Sequence, residues 1–332
     1  MRGSRGEDEF ERQSERERFL QLFKTYVDAV FGQAMLMQAG GGVREYLLVR
    51  ERTFDSREAA RQFVALTAAA LQLEHPYLLG LLDYSASAHR SLCAKRYTVR
   101  QLYPFPRSDL RREIDRRAQE GRPFAIAEMV HLLYQLVEVN AYLQARKTPH
   151  GALSPAAVGL QGEGEFALKL KLLSDERPGP AAAREARLRD FLAKRSLYVS
   201  PGYFRCIVKG REFGGDPCVE DVFAAGLVVL EAGVLKSPAH IYLADGEVDR
   251  EGLQRLLEEF KSRYAADSTL LVSVLENMLQ PGEDRPTFQD LKDNMPNYAE
   301  IRAFLAESAP RTLSASRSFD HRAASKTLAR LE

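Results

Sequence analysis

Few residues of this sequence have the types and spacing that covalent or metal chemistry needs. Asp175 and Glu176, in Leu172-Leu173-Ser174-Asp175-Glu176-Arg177, are adjacent oxygen donors that could hold a divalent cation, or are simply loop carboxylates in water. His150 opens the stretch His150-Gly151-Ala152-Leu153-Ser154-Pro155-Ala156-Ala157-Val158. Beyond that histidine it offers alanines at 152, 156 and 157, and an alanine side chain neither accepts a proton nor binds a metal. Arg50 ends the apolar run Leu47-Leu48-Val49, as a surface cation or as one aimed at an anion. Ser314 and Ser325 each stand three residues after an arginine, Arg311 and Arg322, the spacing basophilic kinases favour. An Arg/Ser-rich tail also produces that spacing by composition alone. Cys93, Cys206 and Cys218 lie far apart without a C-x-x-C pair, which argues against a zinc finger or disulfide framework. They read as small buried hydrophobes. The six histidines show no metal-ligand spacing.

Composition narrows the field. With 332 residues, 45% hydrophobic and 28% charged, the chain is long enough for a substantial core. A formal net charge of +1 provides no global attraction to nucleic acid or an anionic membrane. The N-terminal stretch to Arg18 alternates Arg and Glu and lacks an apolar segment of the secretory kind. The longest apolar run, Val222 to Leu230 and on to Leu235, is interrupted by Glu231 and is too short for a bilayer, so it reads as a buried core helix. The expectation is a cytoplasmic protein without nucleic-acid or membrane partners.

The elements that would position these residues follow in order. Strand patterns run over Tyr26 to Val30, Ala34 to Gln38 and Glu45 to Arg50, with Gly40-Gly41-Gly42 as a turn. A helix is predicted from Arg57 to Leu73, then strands at Leu78 to Tyr84 and Ser91 to Leu102. After Pro104 and Pro106 helices dominate. Asp109 to Glu120 is highly charged, and beyond Pro123 the residues Ile126, Met129, Val130, Leu133, Leu136, Val137 and Leu143 recur at helical spacing. A short strand pair is expected around Gly162-Glu163-Gly164 and Leu168 to Leu173, then helices to about Leu305. Residues 307 to 332 have few large apolar groups and suit a tail that is extended or ordered by a partner.

The stretch from His150 to Ala157 resembles the protein-kinase catalytic loop, H-R-D-L-x-x-x-N, with Ala152 at the base and Ala157 at the metal-binding asparagine. Three further motifs agree in order: Glu74-His75-Pro76-Tyr77-Leu78-Leu79 before Leu81-Leu82-Asp83-Tyr84, Asp221-Val222-Phe223-Ala224-Ala225-Gly226-Leu227, and Arg285-Pro286-Thr287-Phe288. In phrasing, Pro149-His150-Gly151 and Leu230-Glu231-Ala232-Gly233 are similar to serine/threonine kinases of ciliated protists. The resemblance covers roughly residues 25 to 300. It implies an α+β, bilobal kinase-like fold: an extension over 1–24, a β-rich lobe over 25–104, a helical lobe over 105–303 and a tail over 304–332.

Phosphoryl transfer needs phosphates cradled by glycines, a Lys–Glu pair, metal ligands and a base. On the resemblance, the glycine-rich loop falls on Val27, Ala29 and Gly32, so two side chains would intrude upon the phosphates. The lysine falls on Arg50, which keeps charge but not ammonium geometry. Its glutamate partner falls on Leu66, and the metal-binding aspartate on Asp175 or Ser174. Ser200-Pro201-Gly202 matches A-P-E with Gly202 for the glutamate, leaving Arg285 to find another partner. The fold-holding positions His150, Pro155, Asp221, Gly226 and Arg285 remain. The implied function is that of a pseudokinase, with no cofactor and no metal, acting as a protein-binding or structural scaffold. Its partner would be a cytoskeletal or axonemal assembly, or a partner kinase. The alternative is a nucleotide-binding switch or unconventional kinase using Arg50, Asp175 and Gly32.

Overall fold

The period-two patterns of the first hundred residues become, in a computed structural model, a five-stranded antiparallel sheet of order β1-β2-β3-β5-β4. The structure describes residues 12–13, 20–39, 46–90, 95–106, 108–161, 167–172, 197–211, 213–266, 268–282 and 285–295. Met1–Asn294 form one compact unit and Met295–Glu332 a second. All elements below belong to the first.

Strand β1 spans Leu20–Asp28, β2 Gly32–Ala39, β3 Tyr46–Phe54, β4 Asp83–Arg90 and β5 Lys95–Pro104. The first strand thus starts before the expected Tyr26 and before the lobe boundary placed at 25. The chain turns over Ala29, Val30 and Phe31 rather than continuing as strand to Val30. Gly32, at φ +72°, supplies the left-handed backbone that closes this turn. The triple glycine lies outside the described residues, but Gln38 pairs with Tyr46 across it. The predicted strand from Leu78 also moves: strand structure begins at Asp83, and Leu78 forms only an isolated parallel bridge to Leu170. There the backbone leaves the sheet to reach the second lobe.

Helix α1 spans Arg57–Leu71, two residues shorter than its apolar pattern, and starts where the Ser56 hydroxyl accepts from the Ala59 amide. It packs Ala60 and Phe63 against Tyr84, Ala86, Tyr97 and Val99, forming the core of the small lobe. Arg12 extends the far edge of the sheet. It exchanges two backbone bonds with Ala86, and its guanidinium pairs with Asp83 at 2.9 Å and lies over the Tyr84 ring.

In the second lobe α2 spans Leu110–Glu120, α3 Ile126–Ala145, α4 Pro201–Val208, α5 Pro217–Val234, α6 Arg250–Tyr264, α7 Thr269–Met278 and α8 Phe288–Asn294. Most begin at a side chain that satisfies an orphan amide, as the sequence chemistry dictates. Asp109, Ser200, Asp216, Asp249 and Ser268 cap α2, α4, α5, α6 and α7 in turn. The apolar run after Asp221 is the centre of the lobe, every residue from Asp221 to Val234 being buried. A helix apolar on all sides belongs inside. Strands β6 (Ser108–Asp109), β7 (Val158–Gln161) and β8 (Ala167–Leu170) form a small sheet beside the loop that begins at His150. Among the described residues the last helix ends at Asn294, and the rest of the expected helical stretch to Leu305 lies outside them. No helix there is long and apolar enough to cross a membrane.

Candidate functional site

The loop from His150 to Ala157 is held from below by α5. Both oxygens of Asp221 accept backbone amides, from His150 at 2.6 Å and Gly151 at 2.9 Å. The His150 ring bonds on both sides: Nε2 donates to the Lys171 carbonyl at 2.8 Å, and Nδ1 accepts the Ala152 amide at 3.3 Å. That fixes the neutral tautomer. Burial, only partly offset by the Lys171 carbonyl, pushes His150 down to about 4. Burial pushes Asp221 up to about 7, against the pull of the Gly151 and His150 amides. Pro155 is buried and starts a single 3₁₀ turn, Pro155–Ala157, which delivers the chain to β7. The backbone of the loop is therefore well supported, but Ala152 and Ala157 present methyl groups. Ala157 is fully buried, and its carbonyl accepts the Lys171 amide at 2.8 Å.

Arg50 is buried, not a surface arginine. Its Nε donates to the Phe31 carbonyl at 3.2 Å, and its Nη1 reaches Gln101 at 3.4 Å. Gln101 in turn donates to Thr67 of α1 at 2.9 Å. Leu66, the position expected to lack the acidic partner, is half-buried beside Thr67. A neutral amide–hydroxyl chain thus joins β3, β5 and α1.

The expected intrusion by Val27 and Ala29 does not occur. Val27 is 73% exposed and Ala29 is exposed, because the strand alternates and the tight turn directs both outward. Phe31 enters instead. It stacks on Tyr103 at 4.7 Å and joins Ala34, Leu48, Leu79 and Leu81 in a buried cluster. A β-carbon on Gly32 would meet no atom within 4 Å, so its left-handed φ, not close packing, is what calls for glycine there.

An ion pair that no sequence pattern announces lies beneath the turn. Lys171 Nζ meets Asp28 Oδ2 at 2.8 Å, and both side chains are 1% exposed. Asp28 Oδ1 also accepts the amides of Val30 and Phe31 at 2.8 and 2.9 Å. Burial alone would raise this carboxyl. The Lys171 charge and these bonds prevail and hold it below the usual carboxylate range. Backbone bonds between Leu79 and Leu170, and between Leu170 and Tyr77, tie the same two lobes nearby. No sequence pattern signals Asp28 or Lys171, since each becomes meaningful only against a partner 143 residues away.

Arg285 finds its substitute partners: it donates to the Gln280 and Val219 carbonyls, pairs with Glu220 at 3.4 Å and lies over the Phe223 ring. Gly226 lets α5 approach α7, since a β-carbon there would come within 2.9 Å of Leu279. Cys218 is buried and Cys206 half-buried, both free thiols. Ser174, Asp175, Cys93, Ser314 and Ser325 lie outside the described residues. Among those described, no group of His, Cys, Asp and Glu could hold a metal ion. A concavity of about 660 Å³ lies apart from the loop at His150, with Leu73, His75, Leu79, Pro104, Gln161 and Lys169 among its walls.

No family model and no curated protein matches the sequence. Among solved structures, the chain is similar to the crystal structure of Rad53 1–466 in complex with AMP-PNP, with a TM-score of 0.57 and 12% identity. The match covers 83% of this chain and 65% of that one, so the chain spans just under two thirds of that relative. Rad53 is a protein kinase, and identity this low speaks to fold alone. A β-rich lobe with one helix, a mainly helical lobe and the His150 loop held on Asp221 between them make this an α+β chain of bilobal, protein-kinase-like fold.

Proposed function

We propose that the chain is a pseudokinase, a kinase-like fold that binds partner proteins or holds a structural position without transferring phosphate. The observation that carries this reading is the supported but chemically empty loop. Asp221 and His150 fix its backbone, while Ala152 and Ala157 stand where a base and a metal ligand would be needed. Loss of a positioned base alone costs on the order of 10²- to 10⁴-fold in rate. The buried Asp28–Lys171 pair, which bridges the two lobes, adds to the argument.

On this reading the working surfaces lie outside the cleft, on the 1–24 and 304–332 extensions and the outer faces of the helical lobe. Exposed Leu22, Phe23 and Val27 on the edge strand β1 support a binding role, since apolar edge strands invite pairing. The ciliate-like phrasing favours a cytoplasmic, cytoskeletal or axonemal assembly over a partner kinase as the binding target. Asp175 as a metal ligand belongs to the rival nucleotide-switch reading. That reading is weakened by the bonds of Arg50 to Phe31 and Gln101.

The test is incubation of the full chain with ATP and Mg²⁺ or Mn²⁺, following phosphate transfer to itself and to generic protein substrates, alongside thermal denaturation. No incorporation and no ligand-dependent shift are expected. Metal-dependent incorporation that a kinase-dead control preparation lacks would overturn the reading.

A further inference from the structure

The two edges of the five-stranded sheet differ. At one edge β4 is covered by Arg12, which exchanges two backbone bonds with Ala86 and sets its guanidinium on Asp83. At the other edge β1 has no strand partner on its outer side among the described residues. It gathers Leu22, Phe23 and Val27, three of the four large apolar side chains that are exposed among those residues. Its only charges are Lys24 and Asp28, and Asp28 is buried in its ion pair. An edge with so few charges is open to pairing. The bulge in β1 decides what can pair there. Leu22, Thr25 and Val27 stand opposite Met37, Met35 and Gln33 of β2, residues two apart, because Phe23 is the extra residue between Leu22 and Lys24. All three therefore share one face, and all three are exposed. Leu22 and Val27 are equally far from Thr25 along the ladder, so the face reads the same in either direction as apolar, small, apolar.

We propose that β1 is a homodimer interface, at which two copies of the chain pair their β1 strands antiparallel with Thr25 on the two-fold axis. In that register Leu22 meets the partner's Val27 at both ends, and Thr25 meets the partner's Thr25 at the centre. Lys24, opposite Leu36 on β2, faces position 26 of the partner and not the partner's Lys24. Aliphatic and Thr–Thr cross-strand pairs stabilise a sheet, whereas like charges directly opposite destabilise it. The half-buried Met35 and Met37 continue the same face onto β2 with side chains that adapt readily. A second copy is the occupant because the strand matches itself, which is what an isologous two-fold interface requires. The paired stretch is short, so association is weak and depends on concentration. The inference rests on the reading that the working surfaces lie outside the cleft, and it names the partner for one of them.

The test uses the full chain. In sedimentation velocity, raising the loading concentration from about 1 to about 100 µM should move the average mass from one copy toward two. Thr25→Arg sets two guanidinium groups directly opposite each other and should raise the dimer Kd by about tenfold or more. Thr25→Asp alone should act likewise, and an equimolar mixture of the two variants should recover association, because the axis then carries opposite charges. Under mild oxidation Thr25→Cys should give a disulfide-linked dimer, with the unmodified chain as the blank for its own cysteines. Val27→Cys should not, since its two copies would lie about 13 Å apart. A chain that stays monomeric over the whole range overturns the proposal. So does a dimer that Thr25→Arg leaves intact, or one in which Val27→Cys links as fully as Thr25→Cys. Should a charged variant not fold, the comparison of the two cysteine variants decides alone. Phosphate transfer by the unmodified chain would overturn the pseudokinase reading without touching these comparisons, and a monomeric chain would overturn the pairing without touching that reading.

Discussion

At the scale of single residues, His150 and Asp221 touch each other yet respond to pH in opposite directions. His150 has a folded value of about 4, below its ordinary 6.5. Its contribution to stability is present above 6.5 and is lost as pH falls from there toward 4. Asp221 has a folded value of about 7, above its ordinary 3.8. Its contribution is fully present below 3.8 and is lost as pH rises through 7. Between pH 4 and 6.5 the two slopes oppose and mask one another. His150→Gln removes one of them, so in urea denaturation the variant's stability deficit relative to the unmodified chain should shrink between pH 7 and pH 4.5. A deficit constant across that range would sink this account. The residue types at both positions were legible in the sequence through the resemblance of the His150 loop and of Asp221 to kinase motifs. Their opposed titration was not, because it arises from full burial.

At the scale of elements, the second lobe depends on how closely α6 and α7 approach the buried helix α5. A β-carbon on Gly233 would fall 2.3 Å from the Phe260 ring of α6, whereas one on Gly226 would meet Leu279 at 2.9 Å and Met278 at 3.1 Å. The Leu279 methyl can rotate away, but an aromatic ring locked against Tyr264 at 4.9 Å between centroids has less room. Both alanine substitutions should therefore destabilise, by about 1–3 kcal/mol, with Gly233→Ala the more costly. Chemical denaturation midpoints of the two variants check the order, and equal midpoints would contradict it. The helices themselves were readable from sequence, since periodicity and Ser or Asp caps are local signals. The strand boundaries were less so. β1 begins at Leu20 and the 78–82 segment leaves the sheet because pairing with β2 and with Leu170 decides them, not local pattern.

At the scale of the whole first unit, the two lobes are joined by more than a hinge. The Asp28–Lys171 pair and the backbone bonds linking Leu170 to Tyr77 and Leu79 each cross from one lobe to the other. On the pseudokinase reading, adding a base and a metal ligand should therefore fail to produce transfer. An Ala152→Asp/Ala157→Asn double variant regains a base and a metal ligand in type, but the Asp28–Lys171 pair still ties the lobes together. No phosphate transfer above background is expected from it in the assay described for the unmodified chain. Recovery of transfer by these two changes alone would contradict this expectation. A fully buried Ala157 also leaves little space for the larger asparagine, so lower thermal stability should accompany the inactivity.

By itself the sequence determined the helices, the bilobal plan through its resemblance to kinases, and the alanines at 152 and 157. These are properties of residue type, local periodicity or motif order. It also marked His150, Asp221 and Arg285 as fold-holding, although the partners of Arg285 at Gln280, Val219 and Glu220 came from the packed structure. Tertiary structure alone decided which residues tie the lobes together. The side chains expected to intrude, Val27 and Ala29, are exposed, while the Asp28–Lys171 pair bridges the lobes and Phe31 and Arg50 pack within the small lobe. The physical reason is sequence separation. Strand alternation and turn geometry set which way a side chain points, and a buried charge acquires its meaning from a partner that only folding brings within 3 Å.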